Sequence, residues 1–370
     1  MDRDDHVLAL PHGRVELPAF LPDATHGSVR TVDSQDLEGA GVQALEMNVF
    51  HLMQRPGSST IKSLGGLHRA FSWHSPILTD SGGFQAYSLI RQNPRLGSLS
   101  DRGIVFRPEG SARKLILTPE KSIQLQMSYG GDIVVCLDDC THADAPYETQ
   151  REAVERTVRW ARRCRDTFDA LMAGRRSDKA RPLILGVIQG GDERDLRRAC
   201  AEALLEIGFD GYGLGGWPLD GRGNLLTDVI AYIRELVPPE YPMHALGVGH
   251  PDHVVTCARM GYATFDSSMP TRDARHGRLL VMAEGDDASD PLGGKWWRFL
   301  YIQDERHVRD ARPLSETCDC HTCRHYSRAF LHHLFKLGDG LYYRLATIHN
   351  LRFMVRLMAR LRAEAGRRVG

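Results

Sequence analysis

The chain has 370 residues, 42% hydrophobic and 25% charged, and its 47 basic side chains balance 47 acidic ones to a formal net charge of zero. That length suits one large domain with an appendage or two ordinary domains. No apolar run approaches the roughly 20 residues of a spanning helix, and no global charge points to a polyanion, so a membrane role is excluded and nucleic-acid binding would need a local basic patch.

The N-terminal MDRDDHVLALPHGR has no apolar core of signal-peptide length and carries early acidic residues, so the expectation is a cytoplasmic protein. Short apolar runs follow: VQALEMN, PILTDSGGF, DIVVCLDD, PLILGVIQGG, GYGLGG, MHALGVG and YATFDSSMP, each succeeded by a stretch of helical period. Such alternation predicts a parallel sheet of βα units. The seven runs, with room for an eighth along the same span, predict an α/β fold of the (β/α)8 TIM-barrel type in preference to an open doubly wound sheet. Clear helices include PEKSIQLQMSYG, with Pro119 in its first turn, and ERDLRRACAEALLEIG, stopped by Gly208.

The alternation ends near Gly285, where an irregular DDASDPLGGKWW leads to a cysteine cluster and a helical tail. This places a catalytic barrel over residues 1–285 and a zinc-binding C-terminal subdomain, its helical tail packed on the barrel, over residues 286–370. In the tail, Leu351, Met354, Val355, Met358 and Leu361 recur at helical spacing with arginines on the other face. An amphipathic packing helix explains that pattern better than a polyanion patch.

The predicted strand ends carry the chemistry. They bear Asp80, Asp138 with Asp139, Gln189, Gly215 with Gly216, and Asp266. Any one alone reads first as a turn or helix cap. Together, carboxylates at three strand ends beside glycines that admit a ligand to the backbone imply a polar planar ligand. Two of the acids could divide a displacement at a sugar carbon, one as nucleophile and one as proton carrier, while the remaining acid, a Gln amide and a glycine N–H cradle guanine or a relative.

Of the eight cysteines, at 136, 140, 164, 200, 257, 318, 320 and 323, only the last three cluster, a metal pattern on a reduced background and not a disulfide framework. Cys318, Cys320 and Cys323 stand as C-x-C-x-x-C. His325, His332, His333 and His349 are the candidate fourth ligands, and His349 is favoured because a returning helix could bring it back to the cysteine turn. A closed Cys3His shell is a structural zinc site.

LPHGRVELPAFLP, HLMQRPG, GGLHRAFSW, PILTDSGGFQAYSL, LTPEKSIQLQ, GVIQGG, GFDGYGLGG, LGVGHPD, FDSSMPTRDARHG, CDCHTCRHYSRAFLHHL and ATIHNL together resemble the bacterial branch of the queuine tRNA-ribosyltransferase family, the tRNA-guanine transglycosylases. The resemblance spans essentially the whole chain. It implies a (β/α)8 barrel with structural zinc, acting as a homodimer that exchanges guanine at the wobble position of a GUN-anticodon tRNA for a 7-deazaguanine, preQ1 foremost, in queuosine biosynthesis. On matching positions it makes Asp266 the nucleophile on ribose C1′ and Asp80 the general acid/base, with Asn48 supporting the nucleophile. Phe84 stacks on the base, and Asp138, Gln189 and the Gly216 backbone read the purine. Arg272 and Arg275 contact the anticodon loop, and Cys318, Cys320, Cys323 and His349 hold zinc. The chain departs from the family at GGWPLDG, where Trp217 replaces a leucine beside position 7 of the base, and at Asp139, where Glu is common. These departures leave queuine or preQ0 as alternative bases, DNA as an alternative acceptor, and a non-catalytic tRNA-binding partner subunit as a different class of reading.

Overall fold

The computed structural model describes residues 6–107, 114–142, 144–174, 180–283 and 292–369. Eight parallel strands form one sheet: β1 Ala19–Pro22, β2 Leu45–Asn48, β3 Ile77–Asp80, β4 Ile133–Val135, β5 Leu183–Ile188, β6 Gly211–Leu214, β7 Met243–Ala245 and β8 Thr264–Ser267. Their order in space is their order along the chain, with β8 beside β1. β1 and β2 close the ring through a parallel bridge between Asp23 and Glu46, next to which Ala24 N–H donates to the Glu46 carbonyl at 2.7 Å. The predicted (β/α)8 barrel is therefore the observed fold. Its eighth strand, AFLP, lies upstream of the seven runs and not among them.

Alternate strand residues face inward. Ala19, Leu21, Ala44, Leu78, Ile133, Val135, Leu185 and Val187 form an inner cluster, while Phe20, Leu45, Met47, Ile77, Val134, Ile184, Ile188, Met243, Ala245 and Phe265 belong to an outer one under the helices. An antiparallel hairpin of Val7–Leu10 and Gly13–Glu16 adds Leu10 and Val15 to the inner cluster and so plugs the N-terminal end. Two residues beyond Leu21, Ala44, Leu78 and Val187, on the same inward face, come Asp23, Glu46, Asp80 and Gln189. The apolar interior turns polar at the end where a barrel of this kind works.

The helices that position the site start at these ends. Helix α1 (Gly83–Gln92) follows β3, and α2 (Pro119–Tyr129) is capped by the Thr118 side chain and stopped by Gly130. Helix α3 (Arg194–Ile207) follows β5 and ends at Gly208, and α4 (Met269–Arg275) follows β8. β9 (Arg278–Met282) then pairs antiparallel with β10 (Trp297–Tyr301), outside the barrel. Residues 285 and 286, between which the sequence places the domain boundary, lie outside the described residues, as does the linker segment 286–291.

Helix α5 (His321–His325) carries the end of the cysteine cluster, and α6 (Gly340–Val369) is the tail. Leu351, Met354, Met358 and Leu361 are buried and Val355 is partly so. Each fully buried Leu or Met contributes about 1.5–3 kcal/mol, so this stripe docks the helix. Polar ties fix its register: Asn350 Nδ2 donates to the Pro270 and Arg278 carbonyls at 2.9 and 3.1 Å, and its Oδ1 accepts from Leu280 N–H at 2.9 Å. Arg352 binds Asp319 at 2.6 and 2.7 Å and Arg362 donates to the Pro18 carbonyl at 2.8 Å. These tail arginines are spent inside the molecule, as the packing-helix reading expects. Among the described residues, no helix is long and apolar enough to cross a membrane.

Candidate active site and metal centre

β3 ends in the turn Asp80-Ser81-Gly82-Gly83. Gly82 has φ +85°, and a Cβ there would sit 2.5 Å from that of Phe50, so only glycine lets the chain fold back over β2. The turn leaves the Asp80 carboxylate accepting from Asn48 Nδ2 at 2.6 Å and from the backbone N–H groups of Ser81 and Gly82. Burial and then the nearby Asp266 push the Asp80 carboxyl up to about 6, against those donors and His244. Asp266, across the mouth on β8, accepts from Gly247 N–H at 2.9 Å and lies 3.2 Å from His244 Nε2. His244 is held in turn through Nδ1 by the Thr264 hydroxyl at 2.9 Å.

Beyond β4 and β5 lies a second cluster. Gln189 Nε2 donates to Asp138 Oδ2 at 2.5 Å, and the buried Gln189 Oε1 has no partner among the described residues. The amide nitrogen is thus engaged by Asp138, and an orphan acceptor is left beside the cradle. A buried unpaired acceptor costs about 1–3 kcal/mol, which a ligand donor would recover. Burial, then Asp80, pushes the Asp138 carboxyl up to about 7 despite the Gln189 hydrogen bond. A Cβ on Gly215 would meet Gln189 Nε2 at 2.6 Å, so glycine is required for the β6 end to close on the amide. Gly216 follows with φ +89°. The Phe84 and Trp217 rings, both exposed, stack with centroids 5.8 Å apart at 28° over this cradle. Asp139 is not part of it: its carboxylate binds Arg156.

The raised values have a testable sign. The folded-state values of Asp80 and Asp138 lie above the unfolded value near 4. Stability from these groups is therefore fully present below about pH 4 and is lost as pH rises through about 6 and about 7. Asp138→Asn, which cannot ionise, is expected to melt higher than the parent at about pH 8, by an amount on the order of 1–4 kcal/mol, and the gap should shrink toward pH 5. Equal gaps at both pH values in thermal melts would refute a buried titrating Asp138.

On the β8 and β1 side the rim is basic. Arg272 is exposed on α4, and Arg275 is half-buried, with Nη1 lacking a hydrogen-bond partner among the described residues. Burial, then the nearby Arg30, lowers the Arg275 pKa, with Asp23 opposing and Arg272 adding to the effect.

The sequence missed Glu46, Asp23, His244 and Arg197. Arg197 is buried beneath the cradle, donating to the carbonyls of Ile188, Gly191 and Gly215 at 2.6, 2.8 and 2.9 Å. It joins the ends of β5 and β6. Its place one turn from the buried Cys200 and Ala201 was the available signal.

At the other end of the chain, Cys318, Cys320 and Cys323 Sγ lie 3.8, 3.6 and 3.3 Å from His349 Nδ1. A tetrahedral ion with zinc–sulfur and zinc–nitrogen bonds of ordinary length separates S from N by about 3.5 Å. His349 Nε2 donates to the Leu280 carbonyl at 2.9 Å, which leaves Nδ1 as the free lone pair. All four ligands are buried. Of the competing histidines, His332 faces the Ile302 carbonyl. The four residues fit a structural metal ion, with His349 as the fourth ligand.

A family model described as Queuine tRNA-ribosyltransferase matches residues 6–366. The chain belongs to the queuine tRNA-ribosyltransferase family. It is similar to the queuine tRNA-ribosyltransferase of Actinobacillus pleuropneumoniae serotype 3, with 39% identity over 348 residues that cover 94% of this chain and 85% of the relative. The same name is carried by relatives from Pasteurella multocida, 38% identical over 96% of this chain and 86% of theirs, and Staphylococcus epidermidis, 36% identical over 96% and 87%. Membership in this family makes the protein a pentosyltransferase.

Proposed function

We propose that the protein exchanges guanine at the wobble position of a GUN-anticodon tRNA for a 7-deazaguanine, preQ1 foremost, by double displacement. tRNA-guanine transglycosylation is the activity of the family. The observation that supports this course for it is the pairing of Asp80 and Asp266 across the barrel mouth, beside the Asp138–Gln189 cradle.

In the first displacement an Asp266 oxygen attacks ribose C1′, the C1′–N9 bond breaks, and Asp80 delivers a proton to the departing guanine. The incoming base then loses its N9 proton to Asp80 and attacks C1′, and the C1′–O bond to Asp266 breaks. Asp80, raised to about 6, can hold or release a proton near neutrality, as this double duty requires. Asp266, given a backbone donor by Gly247, keeps a carboxylate oriented for attack. Asn48 supports the nucleophile indirectly, by holding Asp80 in place. Asp138 and Gln189 Oε1 would accept from the purine N–H groups, the Gly216 backbone would complete the edge, and Phe84 would stack on one face with Trp217 beside position 7. Arg272 and Arg275 would take anticodon-loop phosphates. Zinc is the ion we assign to Cys318, Cys320, Cys323 and His349. We also propose a cytoplasmic homodimer, divided into barrel and zinc-binding subdomain at 285/286.

Labelled guanine, preQ1, preQ0 and queuine offered with a GUN-anticodon tRNA and a matched DNA test this reading. Incorporation of preQ1 into the tRNA is expected. Incorporation into DNA alone, or into neither polymer by folded, metal-loaded protein, would overturn it.

A further inference from the structure

One carboxyl at the barrel mouth has no task in this scheme. Glu46 is 6% exposed on β2 and inward-facing, one layer below Asn48. In the sheet it is aligned with the inward-facing Leu78 of β3 on one side and with Asp23 of β1 on the other, above the apolar layer that holds Ala44. The other acids around the mouth are held by donors. Asp80 is held by Asn48 and its turn, Asp266 by Gly247, Asp23 by Thr25, and Asp138 by Gln189. Glu46 alone among these has no side-chain hydrogen bond among the described residues. Burial, then Asp266, Asp23 and Asp80, raises its carboxyl well above the usual range. A buried carboxyl without a hydrogen-bond donor, set among other acids, costs stability unless something bound there uses it.

The site's layout says what that is. The base cradle belongs to the β4, β5 and β6 side, and the arginine rim belongs to the β8 and β1 side. The ribose joining base to phosphates must therefore lie over β8, β1 and β2, where Glu46 and Asp23 sit side by side in the bridge that closes the barrel. A ribose with C1′ at Asp266 carries its 2′-hydroxyl on the adjacent carbon, within reach of the groups that surround Asp266.

We propose that Glu46, with Asp23 beside it, reads the 2′-hydroxyl of the nucleotide whose base is exchanged, so that the site takes a ribonucleotide over a deoxyribonucleotide. The 2′-hydroxyl is the group that distinguishes RNA from DNA at one site. It both donates and accepts, and a neutral carboxyl does the same. Hydrogen bonds to this position strengthen as the sugar acquires oxocarbenium character, so the contact bears on rate as well as on choice of acceptor. This inference rests on the transglycosylase reading.

The test uses the full-length protein, labelled guanine, an anticodon stem-loop RNA, and the same RNA with one 2′-deoxy substitution at the exchanged guanosine. The parent should show higher kcat/KM on the all-ribo template. Glu46→Leu should lower the ribo-to-deoxy ratio at least tenfold, and Glu46→Gln, which keeps a donor and an acceptor, should retain most of it. Glu46→Leu sits beside Leu78 and removes a buried carboxyl that Asp266, Asp23 and Asp80 repel, so it should melt no lower than the parent, and a fall in the ratio is not a folding defect. A structural role alone would lower exchange on both templates together and leave the ratio intact, and that result overturns the assignment, as does a parent with no ribo preference. If the parent exchanges guanine into neither template, the transglycosylase reading falls and this inference with it. If exchange into RNA proceeds and Glu46→Leu keeps the ratio, only the assignment of Glu46 falls.

Discussion

Asp266→Ala is expected to abolish the covalent RNA adduct and to lower base exchange by at least about 10⁴-fold, the scale on which removing a nucleophile acts when the rest of the site remains. The reason is positional. Asp266 lies on β8 in register with Leu21 of β1, its carboxylate fixed by Gly247 N–H and flanked by His244. Asp80 already has its own donors and a proton to carry. The fold should not suffer, because Asp266 is among the charges that raise both Asp80 and Glu46, and its removal relieves repulsion in a buried cluster. Parent and variant would be incubated with an anticodon stem-loop RNA and separated under denaturing conditions, with thermal melts alongside. Loss of the adduct at unchanged melting temperature fits the assignment. An adduct that persists in Asp266→Ala would move the nucleophile to Asp80, and Asp80→Ala is the companion variant that shows it.

The sequence made Asp80, Asp138, Gln189 and Asp266 legible because each stands where an apolar run stops. A polar residue that ends an apolar run is a local signal that survives without knowing the sheet, and glycines sharpen it after Asp80 and Gln189. Glu46 and His244 were not legible for the same physical reason. Both sit inside runs, in LEMN and MHA, and barrel strands are covered on both faces, so apolar residues occupy inward and outward positions alike and alternation no longer tells which way a residue points. Only the register, with Leu45 and Met47 outward under the helices and Ala44 inward, shows that Glu46 faces the interior. AFLP escaped as a strand because four residues ending in proline carry little periodic signal. Its pairing comes from β8, whose Thr264–Ser267 aligns with Ala19–Pro22. The cysteine cluster was readable from spacing alone. His349 was favoured over His325, His332 and His333 because a helix returning from one helix length away could reach the cysteine turn, and α6 is that helix.

That returning helix is why Cys320→Ser should have the largest effect on stability. Cys320 caps α5 through its sulfur, which accepts from Cys323 N–H at 3.3 Å, and its side chain faces His349 of α6. A structural metal ion here joins the cysteine turn to the tail helix, and binding energy at such a site is folding energy. Weakening a site whose apparent affinity is typically on the order of 10 kcal/mol should cost several kcal/mol and reduce bound zinc from one per chain toward none. The consequence should reach the active site by one route. His349 Nε2 holds the Leu280 carbonyl, and the adjacent Asn350 holds Pro270 of α4, the helix that carries Arg272 and Arg275. KM for tRNA should therefore rise more than KM for the free base, whose cradle lies on β4, β5 and β6. Native mass spectrometry for metal content, thermal melts and the two KM values check this. A variant that stays zinc-loaded and melts with the parent would rule out the structural site, and one that loses zinc yet shows equal rises in both KM values would break the proposed link from the metal through α6 to α4.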